Sequence, residues 1–165
     1  MYDFKSDPSM DSAERYRQLR GAADALTQGE DDQVANMANV AALLWEFVPG
    51  LNWAGFYRVG PSKSGGEELV LGPFVGRPAC IRIPIGKGVC GTAAQSGETQ
   101  LVEDVHAFPG HIACDAASRS EVVVPVVREG KVIAVIDLDS PDPARFAEED
   151  ARGIEELAAL LSDRI

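Results

Sequence analysis

The feature that most constrains the fold is a pair of apolar runs joined by a short polar turn. Residues 121–127 and 132–138 are rich in valine and isoleucine, the β-branched residues that favour extended backbone. Four residues, Arg128-Glu129-Gly130-Lys131, connect the two runs and include a glycine typical of a hairpin turn. The pattern therefore predicts an antiparallel β-hairpin.

Helical periodicity appears at both ends of the chain. Apolar residues recur three or four positions apart after an acidic first turn that carries Asp11 and Glu14, and again over residues 30–48. A third amphipathic pattern covers residues 148–161. Helices at both ends of a mostly antiparallel sheet make the predicted fold class α+β.

Between the helices the pattern changes to the period-two alternation of β-strands. Residues 52–59 place Trp53 and Tyr57 on one strand face, where they form the wall of a cavity or belong to the core. The remaining short elements are predicted strands at residues 68–71, 80–83 and 99–102 and a predicted helix at residues 90–95.

Length and charge restrict the possible functions. The chain of 165 residues suits one domain, predicted to span residues 1–165 with a loosely ordered extension over residues 1–10. With 26 acidic and 15 basic side chains, the net charge of −11 argues against a nucleic-acid partner. No apolar stretch approaches the roughly 20 residues of a membrane helix, and no signal-peptide pattern is visible, so we expect a cytoplasmic protein with no membrane partner.

The chain has three cysteines, Cys80, Cys90 and Cys114. An odd number in a chain expected to be cytoplasmic argues against a framework of structural disulfides. Redox chemistry, a metal site and core packing remain open for them. Cys114 lies in a long loop predicted over residues 103–119 and precedes a short stretch that can form a helix, whose N-terminal amides would favour a thiolate. Burial as a small apolar side chain is the alternative, although the polar setting weakens it. Together with His111 the cysteines offer zinc ligands, although no Cys-x-x-Cys pair is present.

Three carboxyl groups are expected near one end of the sheet. Asp137 and Asp139 are two positions apart in the second run of the hairpin, so both face the same side as Ile133 and Val135, and Glu121 begins the first run. Such a group can bind an ammonium group, hold a metal ion or supply a proton. The alternative is a set of solvated charges at strand ends.

Several segments of the sequence are specific enough to indicate a family when they are taken together. They are NWAGFY at 52–57, LGPF at 71–74, ACIRIP at 79–84, GVCGTA at 88–93, GHIACDAAS at 110–118, Glu121 and IDLDS at 136–140. This set closely resembles the free methionine-(R)-sulfoxide reductases, small enzymes built on a single GAF domain. The resemblance extends from the second helix to the last.

The resemblance implies a six-stranded antiparallel sheet between helices, with an active site enclosed under loops on one side. It implies that Cys114 is the nucleophile and that Cys80 is its usual partner in a disulfide. Cys90 matches a third cysteine, for which a resolving role has also been proposed in some members.

The resemblance also assigns the polar and aromatic residues. Glu121, Asp137 and Asp139 match substrate-binding positions, and Trp53 and Tyr57 are expected to contact the methyl sulfoxide. Crowded carboxylates cannot all ionise easily, so one carboxyl is expected to be protonated and to act as a general acid. Glu121 and Asp139 are the catalytic candidates.

The implied reaction is the thiol-dependent reduction of free L-methionine-(R)-sulfoxide through a Cys114 sulfenic acid and an intramolecular disulfide, which thioredoxin then reduces. No cofactor beyond this external dithiol and no metal are implied. A non-catalytic GAF domain that senses a small molecule or the redox state is the alternative. A homodimer is a further expectation, since dimerisation is common in the family.

Overall fold

Residues 7, 9–110 and 116–165 are described by the computed structural model of the chain. The helices are α1 (Ser12–Thr27), α2 (Gln33–Phe47), α3 (Gly88–Ser96) and α4 (Glu148–Leu161), with a 3-10 turn at Val105–Ala107. The strands are β1 (Trp53–Pro61), β2 (Glu67–Gly76), β3 (Arg82–Pro84), β4 (Gln100–Val102), β5 (Ser120–Arg128) and β6 (Lys131–Ser140).

The six strands form one sheet in the order β3-β2-β1-β6-β5-β4, and each neighbouring pair is antiparallel. The predicted hairpin is the β5–β6 pair, which places β6 beside β1 at the centre of the sheet. The predicted α+β fold with a six-stranded antiparallel sheet between helices is therefore confirmed. None of the helices in the described ranges is both long and apolar enough to cross a bilayer.

Aspartate caps fix the starts of the first two helices. The Asp11 carboxylate accepts a hydrogen bond from the backbone N–H of Glu14 at 2.8 Å, and Asp32 does the same for Ala35 at 2.8 Å. Each cap satisfies a backbone donor that has no partner within the helix and contributes about 1 kcal/mol. These caps set where α1 and α2 begin before they pack on the sheet.

The two faces of the sheet carry separate apolar cores. The helix-side core joins the sheet to α1, α2 and α4 and includes Phe56 and Ile136. The α3-side core lies on the opposite face, under α3, and includes Trp53, Tyr57 and Val135. The alternation along β1 is thus as predicted, and it divides the strand between the two cores.

The second strand is longer than its pattern predicts. Alternation predicts a strand over residues 68–71, whereas β2 continues through Gly72 and Pro73 to Gly76. Glycine and proline usually weaken or end a strand, but here a Cβ at position 72 would approach the carbonyl oxygen of Phe56 to 3.0 Å. The glycine is therefore explained by close packing of β2 on β1.

The prediction that Ile133 faces the same side of β6 as Val135 is wrong. Ile133 packs against the helix-side core and not on the α3 side with Val135. The cause is a shift of register in the hairpin, where Val126 pairs with Ala134 but Val127 pairs with Val132. Ile133 is the extra residue of this β-bulge, which turns its side chain to the other face.

Two predictions involve residues outside the described ranges. The loosely ordered extension over residues 1–10 includes residues 1–6 and 8, and the candidate site residues His111 and Cys114 belong to residues 111–115. These predictions stay predictions.

Candidate active site

Strand pairing brings the three predicted carboxyl groups together. Glu121 on β5 pairs with Asp139 on β6, and Asp137 pairs with the neighbouring Val123. Glu121 and Asp137 are only 6% and 5% exposed, and Asp139 is half-buried. Two of the three are therefore not solvated charges at strand ends, because they lie inside the protein on the α3 side.

Burial changes the protonation of this carboxyl cluster, formed by Glu121, Asp137 and Asp139. Burial raises the pKa of Glu121 well above its usual range, and the nearby charges of Asp137 and Asp139 raise it further. Burial also raises the pKa of Asp137 to about 7, although hydrogen bonds with Cys90 and Glu121 oppose the rise. At neutral pH the cluster therefore retains a proton, as expected when carboxyl groups share a poorly solvated site.

One oxygen of Asp137 has no hydrogen-bond donor among the described residues. This oxygen, Oδ1, is buried. An unsatisfied buried acceptor costs about 1–3 kcal/mol, and more when it is charged. Such an oxygen is a candidate contact for a ligand that carries N–H donors.

Cys90 of α3 lies directly against the carboxyl cluster. Its Sγ donates to Glu121 Oε1 at 3.9 Å, and the thiol is buried. Burial, together with the charges of Asp137 and Glu121, raises the pKa of Cys90 well above its usual range. The thiol is therefore neutral, and it acts on the cluster as a hydrogen-bond donor.

The approach of α3 to the sheet depends on a glycine. A Cβ at Gly91 would lie 2.5 Å from the carbonyl oxygen of Pro84, at the end of β3. Any larger residue would push α3 away from β3, because the obstructing atom belongs to the backbone. This contact holds the neighbouring Cys90 in place.

Aromatic side chains lie on the same face as the carboxyl cluster. The ring of Trp53 stacks on Tyr57 at 5.8 Å between centroids and on Phe74 at 5.2 Å. Both predicted aromatics are anchored by hydrogen bonds, since Trp53 Nε1 donates to the Arg77 carbonyl at 3.2 Å and Tyr57 Oη donates to the Cys80 carbonyl at 3.0 Å. The two side chains are thus part of the α3-side core and also line the region beside the carboxyl cluster.

Phe74 was not predicted as a site residue. It reaches Trp53 because Gly55 faces it from β1, where a Cβ would lie 2.4 Å from the Cβ of Phe74. The glycine between two aromatics on one strand face was the available signal, because glycine inside a strand often marks a close approach by a neighbouring strand.

The described cysteines differ in state. Cys80 is half-buried just before β3, packs against the α3-side core and is disulfide-bonded. Cys90 is a free thiol. The prediction of a strand over residues 80–83 is wrong for Cys80, which precedes the paired residues Arg82–Pro84.

The loop that contains Cys114 is held at both ends beside the cluster. The backbone N–H of Val105 donates to the Arg119 carbonyl at 2.9 Å, and the N–H of Arg119 donates to the Ser140 carbonyl at 2.7 Å. At the far end of the loop, Asn52 Nδ2 donates to Ser118 Oγ at 3.0 Å. The loop therefore leaves and rejoins the fold next to Asp139.

Comparisons with known proteins agree with this fold. The family model described as GAF domain matches residues 35–165. The chain is 48% identical to a free methionine-R-sulfoxide reductase of Escherichia coli over 92% of this chain and 89% of that protein. It is 42% identical to the enzyme of the same name from Saccharomyces cerevisiae, over 93% and 87% of the two chains.

A solved structure extends the likeness to three dimensions. The free methionine-R-sulfoxide reductase of Neisseria meningitidis, in complex with its substrate, superposes with a TM-score of 0.91. The two chains share 45% identity, and the match covers 99% of this chain and 95% of the other.

Proposed function

The chain belongs to the free methionine-R-sulfoxide reductases of the GAF-domain family, and we propose that it reduces its substrate by thiol chemistry at Cys114 beside a protonated carboxyl cluster. It is an oxidoreductase of this family, which confirms the resemblance drawn from its sequence motifs. The observation that carries the mechanism is the buried, partly unsatisfied group of Glu121 and Asp137 on the aromatic face of the sheet.

The substrate's ammonium group binds the carboxyl cluster. Three carboxyl groups on one face provide negative charge for it, and Asp137 Oδ1 has an open acceptor position. Charge-assisted hydrogen bonds are stronger than neutral ones, and burial strengthens them further. The methyl sulfoxide contacts Trp53 and Tyr57, whose rings form a stacked, apolar surface.

The cluster also supplies the proton that the sulfoxide oxygen needs. We assign this proton to Glu121, because burial and the charges of Asp137 and Asp139 raise its pKa well above its usual range. Asp139 is the second catalytic group, since its charge helps to keep Glu121 protonated and it binds the ammonium group beside it. A neutral Glu121 also leaves less negative charge near the Cys114 thiolate.

The reaction has two steps at sulfur. The Cys114 thiolate attacks the sulfoxide sulfur while the sulfoxide oxygen takes up a proton. The resulting hydroxyl is then transferred to the Cys114 sulfur as the S–O bond to methionine and the transient bond between the two sulfurs break, so methionine leaves as the thioether and Cys114 becomes a sulfenic acid. The thiol of Cys80 then attacks this sulfur, which releases water and forms a disulfide. A dithiol such as thioredoxin reduces the disulfide by exchange.

Two observations support Cys80 over Cys90 as the resolving cysteine. Cys80 is disulfide-bonded, whereas Cys90 is a free buried thiol. The raised pKa of Cys90 makes it a poor thiolate nucleophile. We therefore propose that Cys90 positions Glu121 through the hydrogen bond from its thiol. Peptide mapping after one turnover tests the choice, and a Cys90–Cys114 link would overturn it.

Selectivity for the free amino acid follows from recognition of its ammonium group. A methionine sulfoxide inside a peptide lacks this charge, so it leaves the buried carboxyl groups without a partner. Sites built for a hydrogen bond reject analogues that cannot make it. Equal activity on the N-acetylated sulfoxide would contradict this step. The cytoplasm is the proposed compartment, because the sequence has no signal-peptide pattern, and a homodimer is the proposed assembly, carried over from the family.

Release of methionine from each separated sulfoxide diastereomer, with dithiothreitol as reductant, tests the proposal. We expect release from the free R form only, and loss of that release in Cys114→Ser. Cys90→Ser serves as the matched cysteine control and should retain activity with a lowered rate. No release from either diastereomer would favour the alternative, a GAF domain that binds its ligand without chemistry.

A further inference from the structure

The side chains around Asp137 have the composition of a cation site. One ligand atom each from Cys90, Glu121 and Asp137 lies within 4.8 Å of the other two, and all three residues are buried. The cluster combines a thiol with two carboxyl groups, which is more specific than a group of acids alone. Asp137 is 5% exposed, and its Oδ1 has no hydrogen-bond donor among the described residues.

The spacing of these atoms is close to what a tetrahedral ion requires. Zinc binds sulfur at about 2.3 Å and carboxylate oxygen at about 2.1 Å, which places neighbouring S and O ligands about 3.6 Å apart. Cys90 Sγ and Glu121 Oε1 are 3.9 Å apart. A small contraction of the side chains therefore suffices, and three protein ligands leave one coordination position open.

The chemistry of the donors selects the kind of ion. Magnesium and calcium prefer oxygen ligands only, whereas a thiolate favours zinc and similar borderline-soft ions. Binding replaces the protons of the ligands with a divalent charge, so it relieves the crowding of the carboxyl groups.

We propose that Cys90, Glu121 and Asp137 form a binding site for a borderline-soft divalent cation of the Zn²⁺ class, and that this ion excludes the amino acid from the carboxyl cluster. The exclusion rests on the proposed function, because it assumes that the ammonium group binds the same carboxyl groups. The site itself depends only on the three side chains and on the open oxygen of Asp137.

Cobalt(II) is a suitable probe, because it replaces zinc at such sites and produces a thiolate-to-cobalt charge-transfer band. The protein is first oxidised until thiol titration finds one free thiol, so that Cys90 is the sulfur available. We expect a band that saturates at one cobalt per chain and disappears when Zn²⁺ is added. Absence of the band in the wild type would overturn the proposal.

Variants locate the site. Cys90→Ser should abolish the band, and Asp137→Asn and Glu121→Gln should each weaken cobalt binding at least tenfold. Asp31→Asn, at an exposed position before α2, is the matched control and should bind cobalt as the wild type does. If Cys90→Ser does not fold, the cobalt affinities of Asp137→Asn and Glu121→Gln decide whether the ion binds at this site. A band of unchanged affinity in both would overturn the site.

Competition with L-methionine tests the exclusion separately. We expect the apparent dissociation constant for cobalt to rise in proportion to the methionine concentration. A normal band that is insensitive to methionine would overturn the exclusion. Methionine release by the metal-free enzyme is measured independently, so failure of the proposed function remains distinguishable from failure of the metal site.

Discussion

Asp150 and Asp137 are equally buried, each 5% exposed, but the two faces of the sheet treat them differently. On the helix side, Asp150 accepts hydrogen bonds from Tyr16 Oη and from the Ala147 N–H, both at 2.8 Å, and lies 3.4 Å from Arg145 Nη1. On the α3 side, Asp137 has an oxygen that receives no hydrogen bond from the described residues. The first carboxylate accepts hydrogen bonds at both oxygens, whereas the second has one oxygen without a donor among the described residues.

The two carboxylates have different roles, one in stability and one in the site. A buried carboxylate with a cation and two donors stabilises the junction between α4 and α1. Buried acids that share protons destabilise the folded state, and they are retained where a substrate can complete them. Loss of a carboxyl group should therefore lower turnover on the α3 side and lower the free energy of unfolding on the helix side.

The largest expected effect is that of Glu121→Gln. This change removes the proposed proton donor but keeps the size of the side chain, so we expect kcat to fall about 10²–10⁴-fold, the usual contribution of general acid catalysis. Steady-state methionine release checks it, with thermal unfolding to confirm the fold. A kcat within threefold of the wild type would remove Glu121 from this role.

Asp139→Asn should have a smaller effect on catalysis. Loss of one charge-assisted hydrogen bond to the ammonium group removes about 1.5–3 kcal/mol, which corresponds to about 10–100-fold in kcat/KM. Asp142→Asn, at an exposed position just beyond β6, is the control. Unchanged kcat/KM in Asp139→Asn would exclude this residue from the site.

Asp150→Asn tests the other face of the sheet. We expect the free energy of unfolding to fall by about 1–3 kcal/mol, because Tyr16 Oη and Arg145 lose their charged partner. Turnover should stay within twofold of the wild type. Urea unfolding and methionine release together check it, and a loss of turnover comparable to that of Glu121→Gln would remove the contrast between the faces.

A further expected effect concerns pH. Because the pKa of Asp137 rises from 3.8 to about 7 on folding, the folded state binds its proton more tightly, so this group's contribution to stability is present below pH 4 and is lost as pH rises to 7. The slope is at most about 1.4 kcal/mol per pH unit. Urea unfolding of Asp137→Asn should lack this slope between pH 4 and 7, and a slope equal to that of the wild type would contradict the raised pKa.

Much of the fold follows from local patterns. Residues 148–161 were predicted as a helix and form α4 with the same bounds, because its apolar residues recur at helical spacing without interruption. The hairpin was also predictable, since β-branched runs flank a glycine-containing turn. The bulge at Ile133 was not, because it depends on pairing register between β5 and β6.

The site required information beyond local patterns. Spacing placed Asp137 and Asp139 on one face of the strand, but it does not indicate how deeply their side chains are buried. Glu121 is buried only because α3 covers this face of the sheet. The contact of Phe74 with the site could be recognised only in the structure, because β2 extends past Gly72 and includes Phe74. The roles of the cysteines came from the family resemblance, since no local spacing distinguishes Cys80 from Cys90.

Infrared difference spectroscopy of the carboxyl C=O stretch at neutral pH detects a protonated carboxyl group in the cluster directly. We predict a band of buried, protonated carboxylic acid in the wild type, a clearly weaker band in Glu121→Gln, where Asp137 remains only partly protonated, and an unchanged band in Asp150→Asn. A wild-type spectrum without such a band, or a band that disappears only in Asp150→Asn, would contradict a protonated carboxyl on the α3 side of the sheet.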